Sequence, residues 1–278
     1  MRAQGVRAGY RGTAVVDDAS VRLTAGRVTA LIGPNGSGKS TLLRTMAALH
    51  PAMAGRIDLG SGDGGTSIRD LSPRELARRV TLLSQARPTP GGVTVREVVE
   101  YGRHPHRLRR GSGDAEGPEV VRRVMAMTGV AELALRPVDS LSGGQLQRVW
   151  LASCLAQDTP VLLLDEPTTF LDLRYQVELL DIVRDLADRD GIAVGLVLHD
   201  LDQAAAVADH VVLLVEGRVV AAGPPAEVMT RGLLTPAYGI DVDVSHDPVS
   251  GLIHTRARAR HHDRLDPSRD SAPSQRNT

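Results

Sequence analysis

Three short stretches of this sequence carry residue types suited to phosphate chemistry. The first is Gly33-Pro34-Asn35-Gly36-Ser37-Gly38-Lys39-Ser40, followed by Thr41. Its spacing is G-x-x-x-x-G-K-S, set between the apolar run Val28–Ile32 and a segment of helical periodicity over residues 39 to about 49. Glycines here let successive backbone N–H groups converge on phosphate oxygens, and the helix N-terminus adds positive potential. Lys39 is expected to neutralise the β- and γ-phosphates of a nucleotide, and Ser40 to place its hydroxyl on Mg²⁺. Every other Lys or Arg position in the chain is arginine. A compact ammonium suits this position better than a guanidinium fork.

The second stretch, Val161-Leu162-Leu163-Leu164-Asp165-Glu166, reads as a buried strand ending in two carboxylates. Nucleotides bind at the C-terminal ends of strands in parallel sheets, so Asp165 is placed to hold Mg²⁺ through its water shell. Glu166, one residue on, can orient or deprotonate a water that attacks the γ-phosphate. The third stretch, Leu141-Ser142-Gly143-Gly144-Gln145, is a Ser-Gly-Gly turn opening a helix, a second backbone cradle for phosphate. One chain does not need two cradles for one nucleotide, which points to a nucleotide bound on a partner chain. Taken alone, Ser142 is also an ordinary helix N-cap.

In this order and spacing the three stretches closely resemble the ATP-binding cassette (ABC) family, over residues 6 to 252. The resemblance implies ATP and Mg²⁺ as ligands and two copies closing over two nucleotides. It further implies that Tyr10 stacks on adenine, that Gln85 reaches Mg²⁺ and the attacking water, that Asp172 crosses the dimer interface, and that His199 contacts the γ-phosphate. Each of these four has a plain structural reading alone: surface packing for Tyr10, a loop polar group for Gln85, a helix cap for Asp172, a strand-end histidine for His199. On the same resemblance Glu166, His199, Gln85 and Lys39 form the catalytic set, with Ser40, Gln85 and Asp165 around the metal.

The elements that must position these residues follow from periodicity. Short apolar runs, Val28–Ile32, residues 161–164 and residues 193–198, alternate with helical stretches, the pattern of a mostly parallel sheet covered on both faces. The fold class expected is α/β, a P-loop NTPase core, with an antiparallel β part near the N-terminus and an inserted α-helical subdomain. The core is expected over residues 1–85 and 153–255, and the helical subdomain over 86–152. Residues 256–278, rich in Arg, His, Asp, Ser and Pro without periodicity, read as a disordered basic tail.

Composition bounds the rest. The 278 residues carry 33 basic and 33 acidic side chains, 42% hydrophobic residues and a single cysteine. Zero formal charge gives no sign of nucleic acid as a partner. No apolar run reaches the ~18 residues needed to cross a bilayer. One cysteine excludes an internal disulfide and fits a reducing compartment. His104 and His106 flank Pro105 without further ligands at metal spacing.

Within the family, the single cassette and the absence of a long heptad region set the chain apart from translation factors and chromosome-maintenance ATPases. The segment Tyr101-Gly102-Arg103-His104-Pro105-His106, the run Gln147-Arg148-Val149-Trp150, and the late residues from Tyr238-Gly239-Ile240 to Gly251 are similar to importers of ferric siderophores, haem and cobalamin. That resemblance implies two multi-helix permeases, a substrate-binding protein beyond them, and a location at the cytoplasmic face of the inner membrane. Ferric siderophore is the favoured cargo; haem, cobalamin or another substrate, and a non-transport ATPase, are the alternatives.

Overall fold

The computed structural model describes residues 1–60, 65–84, 91–107, 114–169 and 171–258. Its strands are β1 Arg2–Tyr10, β2 Thr13–Arg22, β3 Val28–Ile32, β4 Ala52–Leu59, β5 Thr66–Ser67, β6 Val80–Leu83, β7 Val161–Asp165, β8 Ala193–Val197, β9 His210–Val215, β10 Arg218–Gly223, β11 Val242–His246 and β12 Ile253–Ala257. Its α-helices are α1 Lys39–Met46, α2 Pro73–Ala77, α3 Val95–Tyr101, α4 Gly117–Met127, α5 Gly143–Ala156, α6 Leu173–Asp188, α7 Leu201–Val207, α8 Pro225–Val228 and α9 Arg231–Tyr238.

Six strands form a central sheet in the order β10-β9-β3-β8-β7-β6, all neighbours parallel except the β10–β9 edge pair. β3, β7 and β8 are buried at every residue, which is why they read as continuous apolar runs. Their side chains alternate between two cores. Val28, Ala30, Ile32, Leu162 and Leu164 face one that also holds α3, α4 and α5. Leu31, Val161 and Leu163 face the other, with α1 and the antiparallel sheet β2-β1-β4-β5. The period of two along each strand thus joins the three layers.

The expected α/β core and N-terminal antiparallel part are both present. α5 begins inside the expected helical subdomain and runs to Ala156, past the boundary placed at 152, since its second half is buried beside β6. β12 pairs with β11 from Ile253 to Ala257, so ordered strand continues beyond the expected start of the tail at 256. Residues 259–278 lie outside the described residues. α1 ends at Met46 rather than near Leu49: Ala47 leaves the helical region and Ala48 has φ +55°. Among the described residues no helix is long and apolar enough to cross a membrane.

Candidate ATP site

The C-terminal ends of β3, β8 and β7 lie in one row, and each delivers part of the site. After β3 the chain turns through Gly33 with φ +139°, where a Cβ would sit 2.0 Å from the Leu214 carbonyl oxygen. At Gly38, φ +100°, a Cβ would lie 3.0 Å from both the Val15 carbonyl and the Val16 side chain. Only glycine fits either place. The loop then opens α1 at Lys39.

Lys39 is 5% exposed and folds back on its own loop, donating to the Gly33 oxygen at 2.8 Å and the Pro34 oxygen at 2.9 Å. Burial lowers its pKa, with the Glu166 and Asp165 carboxylates acting the other way. Two loop carbonyls therefore occupy the ammonium where an incoming phosphate has stronger acceptors to offer. Ser40 Oγ donates to Asp165 Oδ1 at 2.6 Å, joining the start of α1 to the end of β7. Burial raises the Asp165 pKa, opposed by the Ser40 hydrogen bond and by Arg44. Asp165 Oδ2 is buried without a hydrogen bond; Arg44 Nη2 lies 3.5 Å away. A hydroxyl beside a carboxylate with a spare oxygen is a hard donor set, and it fits Mg²⁺.

Glu166 leaves β7 with φ +54°, its N–H donating to the Val197 oxygen of β8 at 3.2 Å. This left-handed turn aims the side chain across the row, where Oε1 meets His199 Nε2 at 2.6 Å. His199 stands two residues past the end of β8, so the turn after β7 and the segment after β8 bring the two side chains together. Tyr10, at the end of β1, is 47% exposed, with its ring 4.5 Å from that of His50. It presents an open aromatic face.

Residues 141–145 form the capping box of α5. Ser142 Oγ accepts from Gln145 N, and Gln145 Oε1 accepts from Ser142 N. The plain N-cap reading is thus true of the free chain. It does not explain the glycines: a Cβ at Gly143 would meet no heavy atom within 4 Å, and neither Gly143 nor Gly144 has positive φ. Nothing among the described residues requires glycine at 143. Asp172 caps α6 by accepting from Tyr175 N at 3.0 Å. Gln85 lies outside the described residues.

Three contacts at this row come from residues without a sequence assignment to it. Arg44 stands four residues after Ser40 on α1, and that helical spacing was the available signal. Gln147 Nε2 donates to the Pro167 oxygen, tying α5 to the turn after Glu166. Tyr238 accepts from the Gly33 N–H. No local pattern announces the last two.

The family profile described as ABC transporter matches residues 16–169. The chain belongs to the ABC transporter family. This ABC ATPase is 42% identical over 251 residues to the ferric enterobactin transport ATP-binding protein FepC of Escherichia coli strain K12, covering 90% of this chain and 91% of that one. It is 40% identical to the iron(3+)-hydroxamate import ATP-binding protein FhuC of Bacillus subtilis strain 168, over 86% of this chain and 88% of that protein. A cobalamin import ATP-binding protein, BtuD of Halobacterium salinarum, is 45% identical over 87% of this chain but 59% of its own length. Among solved structures, an inward-facing metal-chelate type ABC transporter superposes with a TM-score of 0.78 over 93% of this chain and 97% of that one, at 24% identity, a likeness of fold. A dimeric bacterial ABC transporter cassette does so with 0.70 over 81% and 98%, at 25% identity.

The importer-like segment from Tyr101 to His106 is built differently. Arg103 is 3% exposed, and its guanidinium meets Asp114 through Nε at 2.6 Å and Nη2 at 2.9 Å, with Nη1 on the Ala156 oxygen at 3.0 Å. His106 Nε2 lies 2.8 Å from the Gln157 oxygen. The segment clasps α3 to the end of α5. Among the described residues there is no group of His, Cys, Asp and Glu side chains that could hold a metal ion.

Proposed function

We propose that this chain is the ATP-hydrolysing subunit of an importer for ferric siderophores, working as a pair of copies beneath two multi-helix permeases that receive cargo from a substrate-binding protein. The carrying observation is the row of Lys39, Ser40–Asp165 and Glu166–His199 at three strand ends, in a chain about as long as the iron-transport relatives it matches. In this reading the loop amides and Lys39 bind the β- and γ-phosphates, and Tyr10 stacks on the base. Ser40, with Asp165 through water and Gln85, would hold Mg²⁺, which supplies charge neutralisation on the phosphate oxygens.

Glu166 takes the proton of the attacking water, and His199 holds the γ-phosphate against it. Ser142, Gly143, Gly144 and Gln145 complete the site of the facing copy, with Asp172 at the seam. The open space at Gly143 supports this, since a partner's phosphate can approach a bare helix start closely. Closure on ATP and opening after hydrolysis would work the permeases from the cytoplasmic face of the membrane.

Glu166→Gln tests the chemistry. It should retain ATP binding, elute as a dimer with ATP, and lose turnover by about 10²–10⁴-fold, the range for a general base. Wild-type turnover by that variant removes Glu166 from the role. Deleting the gene tests the cargo: uptake of a radiolabelled iron–siderophore should stop while cobalamin uptake continues, and the reverse result reassigns the substrate.

A further inference from the structure

Gly33 is the first residue past the β3 ladder, so neither neighbouring strand supplies an acceptor for its N–H. The acceptor is the Tyr238 hydroxyl, 3.0 Å away and 205 residues on in sequence. The same glycine's carbonyl receives the Lys39 ammonium. Both polar groups of a residue held at φ +139° are therefore fixed by side chains, one from within the phosphate loop and one from α9. When phosphate draws Lys39 away, the bond to Tyr238 is the one that stays.

Tyr238 is itself held in place. It is half-buried at the end of α9, packed on the main core, and followed by Gly239 in the left-handed conformation. α9 is stapled to β11 by Thr235 Oγ1, which accepts from Val242 N at 3.1 Å, and by Arg231 on Asp241 and Asp243. β12, the partner of β11, is fastened to α7 through Asp202. That carboxylate accepts from Thr255 N at 2.8 Å and Thr255 Oγ1 at 2.7 Å, three residues beyond His199. Burial raises the Tyr238 pKa, so the phenol stays neutral at physiological pH.

We infer that Tyr238 is a positioning residue of the ATP site: its hydroxyl presets the Gly33 peptide, so the C-terminal segment from α9 to β12 sets the shape of the phosphate loop before nucleotide arrives. The importer-like motif around Tyr238 then has a task within the ATPase cycle. The inference rests on the reading of residues 33–40 as the ATP loop.

The test compares the full wild-type chain with Tyr238→Phe and Lys39→Ala, by binding of a fluorescent ATP analogue and steady-state hydrolysis with Mg²⁺. Tyr238→Phe keeps the ring and removes the acceptor. It should weaken nucleotide binding and raise KM for ATP by about three- to tenfold, the scale of one neutral hydrogen bond, with a smaller change in kcat. A purely structural tyrosine would instead lower thermal stability and leave KM where it was, and that result overturns the inference. Lys39→Ala separates the two readings. If it binds the analogue as tightly as wild type, the ATP loop is misassigned. If it loses binding while Tyr238→Phe matches wild type, the inference alone fails. Should Tyr238→Phe not fold, amide exchange in the nucleotide-free wild-type chain decides. A Gly33 amide protected as well as the β3 amides supports the bond, and one exchanging at the rate of an open loop overturns it.

Discussion

The Arg103 clasp and the phosphate loop each bury a cation, and they treat it in opposite ways. Around Arg103 the donors are matched: Asp114 takes two, and the Ala156 carbonyl takes another. Around Lys39 the site is left unfinished. The ammonium leans on backbone carbonyls, and Asp165 Oδ2 and Ser37 Oγ are buried without hydrogen bonds. Unmatched buried polar atoms cost stability, so a fold retains them where something else completes the set. The clasp is read as architecture and the loop as a place for a ligand, although sequence likeness to the ABC family covers both.

The largest expected break of this contrast is at the clasp. Asp114→Ala strips a buried guanidinium of its two-point carboxylate, leaving Asp158 at 3.8 Å, and should cost about 3 kcal/mol, measured by chemical denaturation, with kcat per folded chain unchanged. The pair also sets an acid limit. Arg103 holds the Asp114 pKa below its usual value, so the bond's contribution is complete above the unfolded carboxylate pKa of about 4 and is lost as pH falls towards the depressed folded value. Acid titration of stability should show that loss in wild type and not in Asp114→Ala.

Next is Lys39→Ala, which should weaken ATP binding by about 10–100-fold while lowering stability by less than ~1 kcal/mol, because burial already disfavours the ammonium. A stability loss as large as that of Asp114→Ala would erase the distinction between the regions. Gly143→Ala should divide the two properties: thermal stability holds or rises slightly, as expected for alanine in a helix, while ATPase activity of the paired chains falls by about tenfold from crowding at the facing site. The smallest effect is Ser37→Ala, which should hold stability or raise it by up to about 1 kcal/mol, since it removes a buried hydroxyl that has no hydrogen-bond partner.

What could be read in the sequence was local. β3, β7 and β8 are buried along their whole length and mostly apolar, and the residues at their ends are named by spacing alone. β4 carries no strand pattern of its own, because residues 53–56 are exposed and mixed in character and its register comes from β1. The β11–β12 hairpin and α9 were legible only as family likeness, since their anchors, Asp202 to Thr255 and Gly33 to Tyr238, join residues 53 and 205 positions apart. The left-handed turn at Glu166 has no sequence signature either, because glutamate carries no preference for it.

That turn has an evolutionary consequence. Holding a non-glycine residue at φ +54° costs ~1–2 kcal/mol, whereas the bond to the half-exposed His199 returns at most about 1 kcal/mol. Glycine at 166 would relieve that backbone cost. On the proposed role of Glu166 as general base, selection on turnover would keep the carboxylate, and a lineage released from transport should let this position drift early.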